Sequence, residues 1–172
     1  RLRADVQLAM SNIFVSCGQT NPPQGAITDP RHARMGWRYY GTNDLSQPNI
    51  DWDALRIGLG IPQFPNDLGP DSYILEMGFE RLNGVDFKKG CYVGQEVTAR
   101  MKHKTELKKG LARFEFDETA PSTGEIVTQD GKVAGQITTA SGTRALGYLR
   151  YDRAGNISCD GRTILKTEPL IT

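Results

Sequence analysis

Apolar residues follow two different patterns along this chain. From Lys109 onward they alternate with polar residues in short runs: GLARFEF, GEIVTQDGKVAGQITTA, RALGYLRYD and GNISCDGRTILKTEPLIT. A period of two over such short runs predicts half-buried strands. QDGK sets Asp-Gly at the centre of a tight hairpin. This tail predicts a small antiparallel sheet or barrel. Upstream the spacing turns helical in IDWDALRIGLGIP, Ile50 to Pro62. Asp51 is the expected N-cap, Trp52, Leu55, Ile57 and Leu59 the apolar set, and Gly60 and Pro62 the stop. A second helix is predicted from Gly94 to about Lys104. Val97 and Met101 lie one turn apart on it and are expected to face the core together.

Between these elements the pattern is weaker. Leu2 to Phe14 does not decide between helix and strand. Cys17 to Pro30, with its Pro-Pro pair and two glycines, predicts a loop. Gly36 to Tyr40 is a short aromatic strand, and Thr42 to Asn49 and Pro62 to Pro70 are irregular. Ser72 to Gly84 is expected as a strand turning into a short helix. The character changes between Glu106 and Lys109, so two regions are expected, 1–108 and 109–172. There is no internal repeat.

Composition adds limits. The 172 residues suffice for one ordinary domain or two small ones, and the 19 glycines fit many turns and short strands. The net charge of +1 argues against strong bulk attraction to nucleic acid or anionic membrane. No apolar run approaches the length of a membrane-spanning helix, and no signal peptide is visible. Cys17, Cys91 and Cys159 are odd in number and widely spaced. Neither a zinc knuckle nor a disulfide scaffold is expected, no metal site is assigned, and a reducing compartment is the default.

The densest chemistry lies in FKKGCYVGQEV, Phe87 to Val97. Cys91 falls just ahead of the predicted helix, where unpaired N–H groups favour an anion, with Lys88 and Lys89 beside it. Both effects favour the thiolate, the nucleophilic and metal-binding form. Gly90 and Gly94 would let a ligand or second backbone approach, and Gln95 and Glu96 could hydrogen-bond its polar edges. The plain alternative is a buried cysteine in a Gly-rich turn, acting as a small hydrophobe. A pairing of Cys91 with His103 is conceivable without geometry to support it. Cys17 and Cys159 read as incidental, and His32 as a surface side chain. Arg100 reads either as a ligand contact or as the ion-pair partner of Glu96, four residues earlier. Lys88 to Arg113 holds eight Lys or Arg against two acids, which reads as an anion-binding face or as a solvated helix face. No GxGxxG, P-loop, HExxH or Ser-His-Asp signature is present.

KGCYVGQE, Lys89 to Glu96, resembles the signature Lys-Gly-Cys-aromatic-x-Gly-Gln-Glu of the YgfZ family. That family comprises folate-binding relatives of the glycine cleavage T-protein, an aminomethyltransferase. The flanks are similar too: DPRHARMGWR, LRIGLGIP, LNGVDFKKGC and the glycine-punctuated GQITTASGTRALGYLR. The resemblance implies an α+β fold, in which 1–108 is the C-terminal part of a T-protein-like folate-binding α/β region and 109–172 a small antiparallel β-barrel. Family members carry a further upstream region that completes a ring of domains around the folate. The chain begins at Arg1 and not at Met, as expected of a fragment or a processed form.

The same resemblance implies a tetrahydrofolate-binding protein that supports iron–sulfur cluster assembly or repair, with radical-SAM enzymes, including tRNA-modifying ones, among its clients. Cys91 matches the functionally required cysteine, and Lys89, Gly90, Tyr92, Gly94, Gln95 and Glu96 match the rest of the signature. Glu76, in ILEMGFERL, matches the carboxylate expected to pair with the pterin N–H edge, tetrahydrofolate or a one-carbon derivative being the ligand. A helix-capping role is the alternative for Glu76. The implied location is the cytoplasm, or the mitochondrial matrix in a eukaryote. The rival readings are a true folate-dependent aminomethyltransferase, against which the cysteine signature argues, and an RNA-binding module on Lys88 to Arg113, for which the charge balance predicts only salt-sensitive binding.

Overall fold

A computed structural model describes residues 6–7, 9–91, 93–104 and 106–171. The chain forms two compact units, one from the residues up to Asp29 together with Ala33–Ile50, the other from Pro30–His32 and Asp51 onward. Residues 51–108 thus pack in the same unit as the C-terminal strands.

The first unit is a three-stranded antiparallel sheet in the order β1–β3–β2, with β1 Phe14–Gly18, β2 Ile27–Thr28 and β3 Trp37–Gly41. The expected aromatic strand is β3. Cys17 lies in β1, opposite Arg38, and not in a loop. The physical reason is the partner strand: Trp37 is buried against Gly18, and its indole N–H donates to the Thr20 carbonyl at 2.8 Å. Buried Asp29 accepts from Arg38 Nε at 2.8 Å, which closes the DPRHARMGWR segment on itself.

In the second unit α1 spans Trp52–Gly58, and the Asp51 carboxylate accepts from the Ala54 N–H at 2.8 Å as its cap. Arg56 of α1 is buried. Its Nη1 meets Asp67 Oδ2 at 2.6 Å. Asp67 also accepts from the Gln63 N–H at 2.9 Å and the Thr139 hydroxyl at 2.7 Å. One carboxylate therefore pins the irregular connector after Pro62 to both α1 and a barrel strand. Residues 74–83 form consecutive turns, not the expected strand and helix. Gly78 explains the departure: its φ is +71°, and a side chain there would strike the Leu170 carbonyl.

Six strands close an antiparallel barrel in the order β4–β7–β6–β5–β8–β9. They are β4 Lys109–Phe116, β5 Gly124–Thr128, β6 Val133–Ser141, β7 Arg144–Arg150, β8 Ile157–Cys159 and β9 Arg162–Pro169. The QDGK turn joins β5 to β6, with Gly131 at φ +76°. The interior holds Phe114, Ile126, Ile137, Leu149 and Cys159. A second apolar cluster joins Ile57, Met77, Leu111, Leu146 and Leu170 outside it. The middle of β4 is consequently buried on both faces, Leu111 toward α1 and Ala112 toward the interior.

Candidate functional site

The Cys91 segment rises from the turns that end at residue 83. The Lys88 N–H donates to Asp86 Oδ1 at 2.8 Å, a local Asx turn that starts the approach. Lys88, Lys89, Gly90 and Cys91 are all exposed. The thiol is therefore not the buried small hydrophobe of the plain alternative. Tyr92 lies outside the described residues. Gly94 follows at φ +88°, a conformation that favours glycine, and α2 then runs Gln95–Lys104 with Glu96 in its first turn. A side chain built on Gly90 or Gly94 would meet no described atom within 4 Å, so neither glycine serves close packing among the described residues.

α2 faces the core differently from its expected pattern. Val97 is 53% exposed, while Thr98 is buried and Met101 half-buried. The inward face is set by neighbours that periodicity does not show. Lys102 meets Glu80 at 2.6 Å and lies 5.3 Å from the Phe87 ring centroid, so one cation ties α2 both to the 74–83 turns and to the approach to the motif. Among the described residues Glu96 and Arg100 form no ion pair, and no group of three His, Cys, Asp or Glu side chains could hold a metal ion.

Glu76 sits elsewhere and is buried. It lies in a run of turns and caps no helix. The Tyr148 hydroxyl donates to its Oε2, and its main-chain carbonyl accepts from the Leu111 N–H at 2.7 Å. Burial first, then the bond to Glu76, pushes the Tyr148 phenol well above its ordinary value. Tyr151 is shifted the same way, by burial and then by the Glu76 charge, and its hydroxyl donates to the Leu111 carbonyl at 3.1 Å. A cavity of about 290 Å³ opens between Glu76, Met101, Leu107, Lys108, Lys109 and Arg150. It joins Glu76 to α2 and to the start of the barrel. Lys89, Gly90, Cys91, Gly94, Gln95, Glu96 and Arg100 do not line it.

Tyr148, Lys109 and Arg150 belong to this second locus, and the sequence offered only barrel alternation at those positions. Two cations of the basic stretch are engaged internally. Arg113 meets Glu168 at 2.5 Å and donates to the Gly58 carbonyl, and Lys109 lies 5.5 Å from the Tyr148 ring centroid. The stretch is thus not one continuous cationic face.

Comparison with known proteins adds the following. Residues 108–169 match the family model described as the CAF17 C-terminal beta-barrel domain. The chain is 35% identical over 141 residues to the mitochondrial iron–sulfur cluster assembly factor IBA57 of Mus musculus, a match covering 73% of this chain and 39% of that protein. For the Homo sapiens protein of the same name the figures are 34% over 138 residues, 72% and 38%. A putative chloroplastic transferase of Arabidopsis thaliana is 33% identical over 125 residues, 67% of this chain and 28% of that protein. The chain spans about two fifths of the length of the two IBA57 relatives. Among the described residues no helix is long and apolar enough to cross a membrane.

Proposed function

We propose that the chain is the C-terminal part of a YgfZ- and IBA57-like protein that binds tetrahydrofolate and supports iron–sulfur cluster assembly or repair. Radical-SAM enzymes, including those that modify tRNA, are the clients this reading names. The observation that carries it is the exposed Cys91 thiol, held in a glycine-flanked approach to α2, in a chain similar to named iron–sulfur cluster assembly factors. An exposed thiol can relay a one-carbon unit or ligate iron or sulfur in transit. The cluster is cargo here, and Lys89, Gly90, Tyr92, Gly94, Gln95, Glu96 and Arg100 would frame the ligand around the thiol. In a eukaryote the protein would work in the mitochondrial matrix, otherwise in the cytoplasm.

For folate the residues fit in part. Glu76 is buried beside a cavity with apolar walls at Met101 and Leu107, which suits a ring N–H edge against a carboxylate. The described hydrogen bonds engage only its Oε2, through Tyr148. Oε1 remains for a ligand N–H, and a paired contact requires the Tyr148 hydroxyl to turn away. Folate would supply one-carbon chemistry. This chain's own part is to orient the ring through Glu76 and to present the thiol.

The test is complementation of a strain lacking the full-length protein, with wild type or Cys91→Ser at equal abundance, reading methylthiolated tRNA. Loss with Cys91→Ser, while folate binding persists, supports the thiol's chemical role. Function equal to wild type overturns it. The similarity to a putative transferase favours a second reading, an aminomethyltransferase. Methylene transfer from an aminomethyl-lipoyl carrier would establish that reading, and its absence would retire it.

A further inference from the structure

We propose that the barrel carries an open seam along β9, and that this edge accepts an extended, uncharged segment of a partner protein as an added strand. β9 runs for eight residues, Arg162–Pro169. On one side it pairs with β4 from Ile164 to Pro169. On the other, among the described residues, it pairs with β8 only through Ser158↔Thr163 and Cys159↔Arg162. Beyond Thr163 that second side has no strand against it.

The direction of the free main-chain groups follows from the register. The Leu170 N–H donates to the Leu111 carbonyl at 2.9 Å, and Arg113 faces Glu168 in the same ladder. Alternate residues of an antiparallel strand aim their N–H and C=O groups to opposite sides. Glu168 and Lys166 therefore point at β4. Thr167 offers both its N–H and its C=O to the seam, and Pro169 its C=O. The register shift between β4 and β9, where consecutive Glu115 and Phe116 face Lys166 and Ile164, leaves Leu165 of β9 as the unpartnered extra residue, and it is 64% exposed.

A cavity of about 780 Å³ follows this edge, bounded by Ile157, Ser158, Thr163, Leu165, Thr167 and Pro169. None of its eleven lining residues is charged. A second cavity of about 770 Å³ continues it, sharing Gln129 and Asn156. The acids of that second cavity are paired within the chain, Asp130 with Lys132 at 2.6 Å and Asp152 with Arg150 at 3.1 Å. The first cavity's uncharged lining offers nothing to a phosphate backbone or an acidic tail, and Arg153 of the second is turned to the Val133 carbonyl at 2.5 Å. Free ladder groups, hydroxyls, amides and an exposed leucine match a peptide strand with apolar residues at alternate positions. The Leu165 bulge and Pro169 bound the edge, so the accepted strand is short, and the edge does not invite open-ended stacking.

Amide hydrogen exchange on the full chain tests the edge itself. The Thr167 amide is expected to exchange about a hundredfold faster than those of Lys166 and Glu168. Equal protection of the three overturns the proposal. Peptides selected from a displayed random library on the immobilised chain then test the occupant, with uncharged, alternating sequences expected. Their affinity should fall about tenfold in Leu165→Lys and in Thr167→Pro, and hold in Thr167→Ala, which keeps the N–H. Leu165 is exposed, so its variant reports on the seam even if Thr167→Pro fails to fold. Charged or helix-spaced selections, no selection at all, or binding indifferent to these substitutions each overturn the proposal. So does a dimer in sedimentation that Leu165→Lys dissolves, since the occupant is then a second copy.

Discussion

Cys159 and Cys91 stand in two regions built on opposite terms. Cys159 is fully buried in the barrel among Phe114, Ile126 and Ile137, where burial and then the Asp160 carboxylate push its thiol up. Cys91 is exposed, between exposed Gly90 and a turn that leads into α2. One thiol fills a core and the other faces whatever arrives from outside. The barrel and its α1 layer hold much of the stabilising burial, and the motif segment is exposed from Lys88 to Cys91, with α2 tied by Lys102 to Glu80 and Phe87. Substitutions should separate the two regions cleanly. Barrel changes should act through folding, and motif changes through chemistry with folding intact.

The largest expected effects test that separation directly. Phe114→Ala empties a fully buried position and should cost about 3–5 kcal/mol in urea unfolding. Cys91→Ala should stay within about 0.5 kcal/mol of wild type in the same assay. A large loss from Cys91→Ala would show that the thiol packs after all, and the comparison would break. Asp67→Ala belongs with Phe114→Ala although it removes a charge. It leaves the buried Arg56 guanidinium only Asp53, a largely exposed partner at 2.7 Å, and takes the acceptor from the Gln63 N–H and the Thr139 hydroxyl, so the loss should approach the ~3–5 kcal/mol of a broken buried pair. Replacing Arg56 and Asp67 together by Met and Leu should recover only part of that loss, because the buried charge is gone but the Gln63 N–H and the Thr139 hydroxyl still lack their acceptor.

The junction at Glu76 and Tyr148 sharpens the comparison, since it joins the turns below the motif to strand β7. Both Tyr148 and Tyr151 have phenols raised by burial. The folded state therefore holds these protons more tightly than the unfolded one. Their contribution to stability is fully present below the ordinary phenol pKa of about 10 and is lost as pH climbs above it. Thermal unfolding across that alkaline range should show the loss. Glu76→Gln should shrink it without abolishing it, because burial is the larger cause. A Glu76→Gln variant with wild-type alkaline behaviour would mean that the carboxylate does not govern the pair.

What could be read from sequence divides along the same line. Elements fixed by local chemistry were legible: the Asp51 cap of α1, the QDGK hairpin, the onset of strands at Lys109 and the aromatic strand at Trp37. Elements fixed by a distant partner were not. The turns at 74–83 follow from Gly78 lying against Leu170, and the inward face of α2 shows Thr98 where the pattern suggested Val97. The Arg56–Asp67–Thr139 network joins three segments that no local window contains. At the candidate site the motif residues were legible as a cluster. Tyr148, the partner of Glu76, was not, because a tyrosine in an alternating strand looks the same whether it packs or donates a hydrogen bond.

The smallest expected effects distinguish the two motif glycines. Gly94 adopts φ +88° with open space around it, so Gly94→Ala meets no clash and pays only for the left-handed backbone. That cost should be about 1–2 kcal/mol in urea unfolding. Among the described residues Gly90 has neither a positive φ nor a neighbour within 4 Å of a built side chain, so Gly90→Ala should leave stability within about 0.5 kcal/mol of wild type. The two variants then part in the complementation assay. If Gly90→Ala impairs methylthiolated tRNA at normal stability, the missing side chain makes room for something that is not this chain, as close approach of a ligand or client to Cys91 requires. If it is fully active, that approach comes from another side of the thiol, and the motif's first glycine has no part in the chemistry.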